Sequence, residues 1–265
     1  MPLTGESNRQ PLPPDGLIIV GHGTRDERGC AEFAELVQQV ILRAPRTIVE
    51  GCFLELVEPD LPRAVDRAIE RGASCLAVVP LLLVSAGHAN RDIPQLVAAA
   101  ADKHPTVGIE QMPHLGSHSA VRELAQRRYA AAIEGLRTVA ANETLHLVVG
   151  RGTKDPAANI ALCGFARQRQ EQTGAGWLET CFLAMTEPSL ERGLQLLPGL
   201  PFRRVVVEPH LLFQGELLDR VRSMVASATA QWLEREFVVV DRLGPDPALA
   251  RAILELAEIP TSEAS

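Results

Sequence analysis

Two histidines and a glutamate carry the chemistry this chain could do. His22 stands in VGHGTRD at 20–26, Glu55 in FLELVEP at 53–59, and His88 in LAVVPLLLVSAGHANRDIP at 76–94. Each follows a short apolar run that reads as a buried strand, and the last run is too short to span a membrane. In a parallel α/β sheet the carboxyl ends of the strands share one edge, and ligands bind there. Two imidazoles and a carboxylate at that edge suit a first-row divalent ion with open coordination positions, such as Fe²⁺, Co²⁺, Ni²⁺ or Zn²⁺. A lone loop histidine is more often a hydrogen-bonded structural residue. Three such groups at equivalent strand ends shift the reading toward metal chemistry.

Other chemistries fit less well. GHGTRDERG lies between a strand and a helix, where phosphates bind, but it has neither a Walker lysine nor GxGxxG spacing. There is no GxSxG elbow for a hydrolase nucleophile. His114 and His118, in MPHLGSHSAV, stand at a predicted turn and read as structural, His118 at a helix N-terminus. His104, His146 and His210 are isolated. Cys52 and Cys181 fall inside strands and read as core.

The elements that must position these groups alternate. Strands are expected at 16–20, 47–54, 76–84 and 107–111, and helices at 30–42, 61–71, 93–103 and 121–136. That alternation predicts βαβ units and a parallel sheet. The 265 residues suit two compact domains. Aromatics make up only 4 % of them, so the core must be built from Leu, Val, Ala and Ile. A net charge of −7 argues against nucleic acid as a partner. Five scattered cysteines without a CxxC pair, and a polar, proline-rich start without an apolar signal, predict a cytoplasmic protein with reduced thiols.

At Leu145 the pattern begins again. VGHGTRD at 20–26 returns as VGRGTKD at 149–155, 129 residues later. The same offset aligns Glu50, Cys52, Phe53, Leu54, Glu58 and Pro59 with Glu179, Cys181, Phe182, Leu183, Glu187 and Pro188. Identity held in register over this length marks an internal duplication. The expected organisation is a disordered tail at 1–15, one α/β domain at 16–140 and a second at 145–260. The copies diverge at the chemistry: His22 becomes Arg151, Glu55 becomes Ala184, and the His88 region becomes Gly215-Glu216. The site is therefore expected in the first copy.

GHGTRD after the first strand, FLE…EP after the second and PLLLVSAGHANRDIP after the third resemble the class II chelatases of tetrapyrrole biosynthesis. The resemblance is to their long, two-domain sirohydrochlorin cobaltochelatases and ferrochelatases. It spans about residues 17–258, and PHLLFQGEL at 209–217 resembles the C-terminal half of the long form. It implies two tandem flavodoxin-like domains with an active-site cleft between them, and ATP-independent insertion of a divalent metal into sirohydrochlorin or a related tetrapyrrole. His22, His88 and Glu55 would be catalytic, with His22 and His88 as metal ligands. Arg25, Arg91 and Arg151, with Ser85 and Gly87, would bind the carboxylate-rich substrate. The metal is substrate (Co²⁺, alternatively Fe²⁺ or Ni²⁺), no cofactor is permanently bound, and no membrane is involved. A monomer is expected, its duplication standing in for a homodimer. A metal or tetrapyrrole carrier without turnover would use the same residues.

Overall fold

The computed structural model describes residues 13–84 and 91–261. In the first lobe, β1 (Gly16–Gly21), β2 (Ile48–Phe53), β3 (Cys75–Pro80) and β4 (Gly108–Gln111) alternate with α1 (Glu27–Arg43), α2 (Leu61–Glu70), α3 (Ile93–Lys103) and α4 (Ser119–Ile133). The second lobe repeats the series. Its strands are β5 (Thr144–Gly150), β6 (Trp177–Phe182), β7 (Arg204–Pro209) and β8 (Glu236–Val239), and its helices are α5 (Pro156–Thr173), α6 (Leu190–Gln195), α7 (Glu216–Gln231) and α8 (Pro247–Leu256).

Each lobe has a four-stranded sheet, ordered β2-β1-β3-β4 and β6-β5-β7-β8, and every pairing is parallel. The central strands are buried along their whole length, which explains why LIIV and LVVG read as continuous apolar runs. Gly21 pairs with Phe53 in one sheet and Gly150 with Phe182 in the other, so the sheets repeat in register as the sequence does. Helix α1 starts at Glu27 rather than at the expected position 30. Asp26 caps it, accepting the Arg28 N–H at 3.0 Å, and Glu27 adds an acidic first turn.

The terminal helices cross between lobes. Helix α8 lies along α1, and its Leu249, Ile253 and Leu254 share one core with Leu17, Phe33, Leu36, Val40 and Val79 of the first lobe. Helix α4 returns the exchange, with Tyr129 packed on Val206, Val238 and Val240 of the second lobe. Burying each large aliphatic side chain is worth roughly 1.5–3 kcal/mol. The exchanged helices therefore hold the two lobes together and fix the cleft between them.

Candidate metal centre

In each sheet the chain runs from the first strand outward to the second and returns to the third on the opposite side. This leaves a crevice beyond the carboxyl ends of β1 and β3. His22 leaves β1 at that point. The β1–β2 ladder continues past the strands, with the Leu54 N–H donating to Gly21 O at 3.0 Å and the Glu55 N–H to His22 O at 3.2 Å. So close an approach requires glycine at position 23, where φ is 102° and a Cβ would lie 1.9 Å from Glu55 O. His22 and Glu55 are thereby set side by side, with Nδ1 3.3 Å from Glu55 Oε1. In the second lobe Gly152 does the same for Arg151 and Ala184, with φ 82° and 1.9 Å to Ala184 O.

The other ring nitrogen of His22 faces the opposite lobe. Arg151 Nη1 stands 2.6 Å from His22 Nε2. A guanidinium only donates, so Nε2 offers Arg151 its lone pair, and the ring proton sits on Nδ1 beside Glu55. The two residues are equivalent positions of the repeat. Their contact therefore lies on the pseudo-twofold axis between the lobes.

This bridge borders two cavities. One, of about 560 Å³, lies between the 21–26 loop of the first lobe and residues 211–218 of the second. The other, of about 340 Å³, lies between residues 150–153 of the second lobe and 82–84 of the first. His22, Glu55 and Arg151 line both. Leu56 lines the larger and Met185 the smaller, each 54–60 % exposed and each held at a positive φ, 71° and 64°. That conformation costs an L residue about 1–2 kcal/mol and turns an apolar side chain out at each rim. Across the cleft, Arg28 bonds Asp219 at 2.7 Å, and Glu32 accepts from the Gln214 N–H at 2.8 Å and from Arg242 Nε at 3.0 Å.

The residues expected from sequence are distributed unevenly. His22, Glu55 and Arg151 come together. Arg25 is exposed on the loop lining the larger cavity. Arg91 is exposed just ahead of α3 and lines neither cavity. Ser85, Gly87 and His88 lie outside the described residues, although the segment leading to them, Leu82 to Val84, lines the smaller cavity. Among the described residues, no group of three or more His, Cys, Asp or Glu side chains is placed to hold a metal ion.

The remaining histidines have structural partners. His104 Nε2 lies 2.8 Å from Asp66, and His114 Nδ1 lies 3.0 Å from Leu82 O. His118 caps α4 by accepting the Ala120 N–H, the task Asp246 performs for α8. His146 is buried against Glu208 at 2.9 Å. His210 packs on Phe165, and burial pushes its imidazole down to about 4. The rim residues Leu56 and Met185 escaped the sequence reading. Their signal was a large apolar side chain at the same repeat position, three residues before the Pro59 and Pro188 that close the two turns.

The sequence profile of the CbiX family matches residues 16–132 and again 145–258. The chain is 32 % identical over 243 residues to a sirohydrochlorin cobaltochelatase of Priestia megaterium, covering 91 % of this chain and 78 % of that protein. It is 28 % identical over 239 residues to a sirohydrochlorin ferrochelatase of the same organism, covering 90 % and 88 %. Its fold matches the sirohydrochlorin chelatase SirB of Bacillus subtilis subspecies spizizenii in complex with cobalt, with a TM-score of 0.75 and 25 % identity over 92 % of this chain and 93 % of that one. No helix among the described residues is long and apolar enough to cross a membrane.

Proposed function

The chain belongs to the CbiX family, and from that premise we propose that it inserts a divalent metal ion into sirohydrochlorin, Co²⁺ being favoured and Fe²⁺ the alternative. The observation that carries the reading is the His22–Glu55 pair, held by an extended strand ladder at the junction of two cavities and faced by arginine. Insertion exchanges two pyrrole N–H protons for one M²⁺, so the site must hold the ion and accept protons. An imidazole with an ordinary value near 6.5 does either at neutral pH.

In the proposed mechanism His22 coordinates the ion through Nε2, while Glu55, whose Oε1 stands 3.3 Å from Nδ1, orients the ring from behind, as carboxylates behind metal-bound histidines do. His88 supplies the second imidazole. As the metal passes to the macrocycle, the freed imidazoles and Glu55 take up the pyrrole protons and return them to solvent. Arg25 and Arg151 meet substrate carboxylates, and the exposed Leu56 and Met185 give its flat apolar faces a surface to lie on. The preference for Co²⁺ follows the relative of higher identity, since iron and cobalt take the same ligands.

An anaerobic absorbance assay with sirohydrochlorin and either Co²⁺ or Fe²⁺ tests this reading. The wild-type protein is expected to accelerate insertion of one metal. His22→Ala and His88→Ala should each lose about a hundredfold or more in rate with unchanged circular dichroism, a loss typical of removing a proton-transfer group. Wild-type turnover in either variant would overturn its assignment. Stoichiometric binding without turnover would make the protein a carrier.

A further inference from the structure

Nε2, the nitrogen through which His22 would coordinate the metal, is already engaged. Arg151 Nη1 donates to it at 2.6 Å, and Glu55 lies on the other nitrogen at 3.3 Å. One lone pair cannot serve a guanidinium and a metal ion together. A fixed positive charge at hydrogen-bond distance also opposes a divalent cation arriving at the same atom. The arginine comes from the other lobe, from the position that repeats His22, and it is exposed. A carboxylate entering either cavity meets it directly, because Arg151 lines both.

We propose that Arg151 is a displaceable cap on the metal-binding nitrogen of His22, drawn off by the carboxylates of the incoming macrocycle so that the ligand is released as the substrate seats. The inference rests on the chelatase reading above and adds an order to it. The exchange balances. The Arg151 N–H to Nε2 hydrogen bond breaks, the same N–H donates to a substrate carboxylate, and Nε2 gives its pair to M²⁺ with no proton lost or gained. A bidentate arginine–carboxylate pair is a stronger contact than one N–H on a neutral imidazole, so the exchange runs toward the substrate. The repeat explains the arrangement: a residue on the pseudo-twofold axis meets its own counterpart, and a lobe that has lost its histidine can use that position to act on the surviving one.

The test is Co²⁺ binding to the full chain without tetrapyrrole, followed by the visible absorption of the bound ion, in wild type, Arg151→Ala and His22→Ala. One hydrogen bond from a charged donor corresponds to roughly a tenfold change in an equilibrium constant. Arg151→Ala should therefore bind Co²⁺ about tenfold more tightly, and His22→Ala more weakly than wild type. In turnover below saturating sirohydrochlorin, where the cap of the wild type is still in place, Arg151→Ala should lower KM for Co²⁺, and it should raise KM for sirohydrochlorin, opposite shifts that a merely structural role would not produce. An unchanged Co²⁺ Kd in Arg151→Ala, with binding weakened in His22→Ala, would overturn the cap alone. Wild-type Co²⁺ binding in His22→Ala would overturn the ligand assignment beneath it.

Discussion

At three positions related by the repeat, the lobes meet one packing requirement with opposite chemistry. Where the first lobe buries Leu17, Val40 and Val79, the second buries His146, Arg169 and Glu208, all six less than 5 % exposed. In the first, α8 closes the core with Leu249, Ile253 and Leu254. In the second, α4 brings Gln126 and Tyr129, and Arg169 bonds Gln126 Oε1 at 2.6 Å, Ala125 O at 3.3 Å and Glu208 at 3.0 Å. Burial alone would raise the Glu208 carboxyl, but hydrogen bonds and charge from His146 and Arg169 outweigh it and hold it below the usual value. The backbone repeat thus tolerates either an oil-like or an ionic contact beneath the exchanged helix. What differs is which helix can be accepted, since an apolar stripe cannot satisfy a buried guanidinium.

The largest effect should come from breaking the ionic version. Glu208→Val leaves Arg169 buried without its carboxylate and should cost about 3–5 kcal/mol in urea unfolding. The triple variant His146→Leu, Arg169→Val, Glu208→Val copies the first lobe and should recover to within about 1.5 kcal/mol of wild type. A single variant costing less than about 1 kcal/mol would mean that the charges are satisfied without one another.

The two strand ends allow a second contrast. Gly23→Ala and Gly152→Ala each drive a Cβ to 1.9 Å from a backbone oxygen, so each should cost roughly 2–3 kcal/mol. Only Gly23→Ala displaces Glu55 from His22 and should abolish metal insertion. Gly152→Ala should keep turnover within severalfold. Equal loss of activity in the two would show that the second lobe carries as much of the chemistry as the first.

The sequence made some of this legible and not the rest, for physical reasons. The parallel sheets and the duplication were readable because buried strands and turn glycines recur in register, from VGHGTRD to VGRGTKD. His22 and Glu55 were readable as partners because both leave adjacent strands at one edge. The Arg151 contact was not, because it depends on how two lobes dock across a separation of 129 residues. The same holds for α8 on α1, and for the buried charges: His146, Arg169 and Glu208 lie on three elements and meet only in the fold. Isolated in the chain, each carries no signal of the others.

His210 gives the finest contrast, since its counterpart in the first lobe is Leu81, and both are buried. Burial pushes the His210 imidazole down to about 4, against the opposing influence of Glu208 and of its bond with the Leu83 backbone. An unfolded chain returns it to about 6.5. As pH falls below about 6.5 the unfolded state takes a proton that the folded state refuses, so stability is full above that value. It is lost progressively until the folded group also titrates, near pH 4. His210→Leu removes this proton uptake. It also removes the Leu83 hydrogen bond, which shifts stability equally at every pH and leaves the slope as the readout. Urea unfolding free energies measured from pH 7.5 to 4 should fall more steeply for wild type than for His210→Leu, by roughly 3 kcal/mol across the window. Parallel curves would mean that His210 takes up its proton while folded, and that the histidine and leucine sites of the two lobes are electrostatically alike.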